Sequence, residues 1–158
     1  MLDSRLIFSS LTVFLTLIYA FGSGAWVNTG GAFYRSLKRP SWQPPDFVFG
    51  LIWPYNFLIL IVISISVISL GTSVQKNLWL SLYFFSVIAA LAWACTFYVS
   101  ENLYLASFYL FIAAAVTIPM TYLAWTLKPW AGFLILPYQI WLMLATSVSF
   151  GYAILNPR

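Results

Sequence analysis

Histidine is absent from this 158-residue chain, and acids are nearly so, with three Asp and Glu against seven Lys and Arg. Without imidazole the chain lacks the usual general base near neutral pH and the commonest ligand for haem iron or zinc. The three acids, Asp3, Asp46 and Glu101, stand far apart at the ends of apolar runs. That placement excludes a paired-carboxylate site and a proton relay buried in lipid. Cys95 is the single cysteine, so an intrachain disulfide is excluded, and no metal-ligating set is expected. The net charge of +4 is spread over the whole length and forms no basic face, which argues against a nucleic-acid partner. Charged residues make up 6% of the chain, whereas a soluble domain carries about 25%. Ten charges cannot clothe a water-exposed surface, so the solvent is largely lipid.

What remains is 63% hydrophobic and 20% aromatic. The few charges divide the chain into five uncharged runs at 6–34, 47–75, 77–100, 102–127 and 129–157. Each exceeds the roughly 20 residues a helix needs to cross the hydrocarbon core. Alternation over about ten residues, the mark of a membrane barrel, is missing. Because lipid offers no partner to backbone N–H and C=O groups, runs of this length must be helices. The expectation is an all-α membrane protein, a single bundle of five transmembrane helices at about 5–27, 47–70, 76–98, 102–125 and 130–154. Residues 28–46 form the one long connection. A cleaved signal peptide fits the first run loosely through Arg5 and the small residues 22–25, but Asp3 offsets Arg5 and cleavage would leave four helices. With five spans, Arg5, Lys76 and Lys128 share one side and Arg35, Lys38, Arg39 and Arg158 the other. Three against four tilts the 28–46 loop only slightly toward the cytoplasm and leaves the identity of the membrane open.

Eight tryptophans are many for this length. Trp26, Trp79, Trp125 and Trp130 fall at span ends, where an interfacial aromatic belt would hold them. Trp93 and Trp141 fall in mid-run, and Trp53 lies a few residues into its span. Helical spacing puts Trp53 with Phe57, Trp93 with Phe97, and Tyr138 with Trp141 and Ala145 on common faces. Such stripes either pack helix on helix or line a cavity. Ala90 and Ala94 form a small-xxx-small pair suited to close helix approach, inside the bundle or between two copies. The segment YRSLKRPSWQPPDFVFGLIW at 34–53 gathers three of the seven basic residues, three prolines and two tryptophans. Proline fixes φ and biases its predecessor toward extended backbone, so this connection is stiff.

That segment resembles the translocator protein family, the tryptophan-rich sensory proteins related to the peripheral benzodiazepine receptor. The family's loop pattern W-Y-x-x-L-[KRN]-[KR]-P-x-W-x-P-P, then F-G-x-[VI]-W, is matched by Tyr34, Leu37, Lys38, Arg39, Pro40, Trp42, Pro44, Pro45, Phe49, Gly50 and Trp53. Its fifth-helix pattern P-Y-x-x-W-x-x-[FL]-A-[TS] is matched by Pro137, Tyr138, Trp141, Leu144, Ala145 and Thr146, and Leu155-Asn156 follow. The chain departs at Phe33, where tryptophan is usual, and at Ser86, Ala90 and Ala94, where glutamine, asparagine and serine are usual. It departs again at Val148-Ser149, where leucine-asparagine is usual. The aromatic frame is kept and polar handles are lost.

The resemblance implies a cavity among five helices under the first loop. Its candidate lining is Tyr34, Trp42, Pro44, Trp53, Phe57, Trp93, Phe97, Tyr138, Trp141 and Ala145. Lys38 and Arg39 would meet ligand carboxylates or anionic lipid at the mouth. The implied activity is that of a membrane receptor or sensor for flat apolar ligands. A porphyrin gains there from stacking and from burial of a large apolar face. With no histidine, metal-free protoporphyrin IX is favoured over haem, and no cofactor is required. Two other activities are associated with the family: light- and oxygen-dependent porphyrin breakdown through Trp53 and Trp141, and sterol binding or transport. For the latter, Val148, Tyr152 and Arg158 fit a loose sterol pattern. The implied partners are membrane lipid, a small apolar ligand and a second copy of the chain in a homodimer.

Overall fold

Each uncharged run coils into one helix, because in lipid a helix satisfies its own backbone. The computed structural model describes residues 4–157. The helices are α1 (Ser4–Trp26), α2 (Ala32–Ser36), α3 (Asp46–Leu70), α4 (Ser73–Tyr98), α5 (Leu103–Leu127) and α6 (Pro129–Leu155). All but α2 are long and apolar enough to cross a membrane. The shortest of these five, α1, has 23 residues, about 34 Å at 1.5 Å per residue, against a hydrocarbon core of about 30 Å. The fold is an all-α membrane bundle, and its five spans are those of a multi-pass integral membrane protein.

Helix ends follow local chemistry. Pro45 caps α3, and Asp46 places a carboxylate in its first turn, where the helix dipole favours negative charge. Thr72 and Gln75 form a capping box that starts α4 at Ser73, ahead of the expected 76. Asn102 caps α5 by accepting from the Leu105 N–H at 3.0 Å, and Pro129 opens α6 as its first residue. Glu101, at φ 54°, makes the sharp reversal between α4 and α5. The turn α2 inside the long connection was not expected from sequence; Gly31 and Leu37 bound it.

The five spans close into a ring in the order α1, α3, α6, α5, α4. Although α3 and α4 are joined by a short turn, α1 packs against both. Near that turn they touch, and the Trp79 indole N–H donates to Ser64 Oγ at 3.0 Å. Further along, α1 comes between them. Thr16 and Tyr83 share a hydrogen bond of 2.7 Å, and Tyr19 sets its ring edge against Trp53 and Phe57. Beyond Tyr19, toward the first loop, α3 and α4 have parted, and the space between them holds the site.

One expectation is corrected here, and one alternative is decided. Trp79 is fully buried and hydrogen-bonded in the core, not in the interfacial belt, whereas Trp26, Trp125 and Trp130 are 37–45% exposed. Ala90 and Ala94 are buried within the bundle, so their small faces serve contacts between this chain's own helices.

Candidate functional site

Under the first loop lies a cavity of about 480 Å³. Helix α1 contributes Ala20, Ser23, Gly24 and Val27, a stripe at i, i+3, i+4 and i+7. Helix α3 contributes Asp46, Phe49, Trp53 and Phe57, and α4 contributes Trp93, Phe97 and Tyr98. From α6 come Trp141, Leu144, Ala145, Val148, Ser149 and Tyr152. The loop closes the top with Thr29, Tyr34, Arg39, Gln43 and Pro44. No α5 residue reaches the wall; that helix backs α4 and α6.

The aromatic rings form two groups. On the α3 side Trp53 stacks on Phe57 with centroids 5.6 Å apart and planes 25° from parallel, and Tyr19 supports both rings edge-on from beneath. Phe49 meets Trp141 edge-to-face at 5.1 Å, tying α3 to α6 across the cavity. On the α4 side Trp93, Phe97 and Tyr98 form a cluster that continues into Tyr34 and Tyr152. Edge-to-face and offset pairs of this kind add about 0.5–1.5 kcal/mol each beyond the area they bury. The walls are therefore rigid.

The charged wall residues and the linked tyrosine hydroxyls lie at the loop end. Tyr152 donates its hydroxyl to Gln43 Oε1 and lies 3.1 Å from the Tyr34 hydroxyl, which also accepts from Gln43 Nε2 at 3.4 Å. Arg39 sets its guanidinium 5.4 Å from the centre of the Tyr34 ring and its Nη1 3.6 Å from Asp46 Oδ1. Both ends of that ion pair are solvent-accessible, so it is worth about 0–1 kcal/mol and yields readily to a competing anion. The indole N–H groups of Trp93 and Trp141 are buried and meet no acceptor among the described residues. An unpaired buried donor costs about 1–3 kcal/mol.

Of the candidate residues, Tyr34, Pro44, Trp53, Phe57, Trp93, Phe97, Trp141 and Ala145 all reach this wall, and so does Arg39. Three do not. Tyr138 is fully buried in the core, one turn of α6 further from the loop than Trp141 and packed in the same core cluster as Tyr19 and Tyr83. Trp42 sits outside the cavity, half-exposed, with its ring against Gly151 of α6. Lys38 is absent from the wall as well. Its backbone N–H donates to Asn156 Oδ1 at 2.8 Å and its carbonyl accepts from Asn156 Nδ2 at 3.0 Å, which pins the loop to the end of α6. Tyr152 is buried against Phe97 and Tyr34 and offers no ring to lipid, while Arg158 lies outside the described residues.

Sequence reasoning missed the α1 stripe, Asp46, Phe49, Gln43 and Tyr98. The spacing of small residues on α1 and the i, i+3, i+7, i+11 register of Asp46, Phe49, Trp53 and Phe57 were available as signals. Gln43 carried none, because its role depends on where the loop folds back. Among the altered positions, Ser149 lines the cavity but shares its hydroxyl with Ser107 of α5 at 2.9 Å. Ala90 and Ala94 lie in helix contacts outside the wall.

Comparison with known proteins finds sequence similarity along nearly the whole length. Protein CrtK of Rhodobacter capsulatus is 30% identical over 94% of this chain and 95% of its own. A tryptophan-rich sensory protein of Cereibacter sphaeroides is 30% identical over 91% of each chain. The tryptophan-rich protein TspO of Chlorobaculum tepidum is 28% identical over 99% of this chain and all of its own. Residues 11–155 match the sequence profile of the TspO/MBR family. The chain belongs to the TspO/MBR family.

Proposed function

We propose that this protein is a membrane receptor or sensor that binds a flat, apolar, weakly acidic ligand of the porphyrin type in the cavity under the first loop. The observation that carries this reading is the combination of stacked indole and phenyl walls with a single cation, Arg39, among the wall residues. At about 480 Å³ the cavity lies within the range of small-molecule sites, roughly 300–1,000 Å³. Apolar faces of a macrocycle would lie against Trp53, Phe57 and Trp141. A propionate would displace Asp46 from Arg39. The side chains of the wall include no histidine or cysteine, which favours the metal-free macrocycle.

The test is a titration with protoporphyrin IX in detergent, in the dark, followed by tryptophan fluorescence. Saturable quenching is expected, with a dissociation constant raised about tenfold or more in Trp53→Phe/Trp141→Phe while thermal stability stays close to that of the parent. Quenching that never saturates, or that the double variant shares unchanged, would show that the aromatic stripes only pack the helices.

A further inference from the structure

The cavity is unequally walled around the ring of helices, and the weak point lies between α1 and α3. On α1, a Cβ added at Gly22 would lie 2.9 Å from Leu91 of α4, so that side of the helix is pressed on its neighbour. Gly24 is about 200° further round the helix. It lines the cavity, is exposed, and has nothing within 4 Å of an added Cβ. Since the main neighbours of α1 among the described residues are α3 and α4, and its Gly22 side is pressed on α4, the Gly24 side faces α3.

The facing edge of α3 repeats the feature. Gly50 lies two turns from Phe57 on the same stripe, and Phe57 is where α3 touches Tyr19 of α1. Gly50 is likewise exposed with nothing within 4 Å of an added Cβ. The two helices therefore meet at Tyr19 and stand apart from there to the loop. Lipid-facing side chains border the gap on its outer side, with Phe21 76% exposed on α1 and Phe47 and Leu51 each 69% exposed on α3. At the loop end of the gap, on the stripe of Gly50, stands Asp46 with Arg39.

We propose that this gap is a side door, through which a ligand dissolved in the bilayer slides between Gly24 and Gly50 into the cavity. The ligand class, resting on the function proposed above, is an amphiphile with a flat apolar body and an acidic group that follows the headgroup level to Arg39. Glycine at both edges keeps the door wide enough for a ring system, and the Tyr34, Gln43 and Tyr152 bonds keep the aqueous side shut.

The experiment uses the full chain in lipid nanodiscs with Gly50→Leu and Gly24→Leu. Open space and the better helix propensity of leucine let both variants fold, and Gly50 lies outside the cavity wall, so Gly50→Leu leaves the bound ligand's contacts in place. Protoporphyrin IX delivered from donor vesicles should be taken up and released about tenfold more slowly by Gly50→Leu, with its dissociation constant within about twofold of the parent. Unchanged rates in Gly50→Leu would overturn the proposal, and so would rates that instead rise when the loop is loosened by Asn156→Ala. A second measurement needs no porphyrin. A phospholipid with a diazirine at its tail end, irradiated in the nanodisc, should label Phe97 and Trp141, which are buried and line the cavity, and Gly50→Leu/Gly24→Leu should abolish that labelling. Labels confined to Phe21, Phe47 and Leu51 would overturn the side door whether or not porphyrin binds.

Discussion

The contact between the first loop and α6 is set by one glycine, and replacing it separates loop docking from bundle stability. A Cβ added at Gly151 would lie 2.7 Å from Pro40 Cγ, 2.7 Å from Trp42 Cζ2 and 3.1 Å from Pro40 Cβ. Carbon atoms rest at about 3.5–4.0 Å, so in Gly151→Ala the loop must retreat by about 1 Å. Neither group yields by rotation of a flexible end, because one is a proline ring and the other an indole. Overpacking of this kind costs about 1–3 kcal/mol. The helix-propensity gain of alanine over glycine, about 1 kcal/mol, accrues whether the loop is docked or free, so it does not offset the shift. The docking equilibrium should therefore move by about 5- to 150-fold toward the open loop, while the bundle is unharmed. The assay is limited trypsin digestion in detergent, with cleavage after Arg35 and Lys38 followed by mass spectrometry alongside thermal unfolding. Faster cleavage at an unchanged unfolding temperature is expected. Gly24→Ala, built into open space, serves as the control and should cleave like the parent. Cleavage of Gly151→Ala at the parent rate would refute the idea that the Pro40 and Trp42 seat on α6 holds the loop.

Asn156→Ala removes the two hydrogen bonds to the Lys38 backbone, each worth about 0.5–1.5 kcal/mol. The same digestion should show faster loop cleavage, with Asn156→Asp, which keeps only the acceptor, falling between. Trp79→Phe leaves a void and strips the Ser64 hydroxyl of its donor in the fully buried contact of α3 with α4. Unfolding by sodium dodecyl sulfate should show a loss of about 2 kcal/mol, whereas Trp26→Phe at the half-exposed end of α1 stays within about 0.5 kcal/mol.

The spans were legible because the signal is one-dimensional. A charge costs too much in the hydrocarbon core to occur in mid-span, so counting residues between charges locates Asp46–Leu70 or Leu103–Leu127 without any knowledge of packing. The short helix Ala32–Ser36 left no such mark, since it is held by the turn at Gly31 and by the burial of Tyr34 beneath it. Tryptophan position misled in one case. Trp79 stands at a span end in sequence, yet Ser64 lies across the turn between α3 and α4 and draws the indole inward. Among the cavity residues, Trp53, Phe57 and Trp141 were visible as stripes. Whether a stripe faces a neighbour or a void depends on how far the facing helices stand apart, and periodicity carries no such distance.

By itself, then, the sequence determined that the chain crosses the membrane as helices, where they begin and end within a few residues, and which faces are aromatic. Those properties follow from desolvation and from the helical repeat, both of which act on neighbours in the chain. The tertiary structure alone decided that α1 comes between α3 and α4, that the space beyond Tyr19 stays open, and that Arg39 reaches the cavity while Lys38 is tied by its backbone to Asn156. It also decided that Gly24 and Gly50 stand at facing edges of one gap. These outcomes depend on contacts between residues dozens of positions apart, and the physical cause is packing, which sets how far facing helices stand from one another.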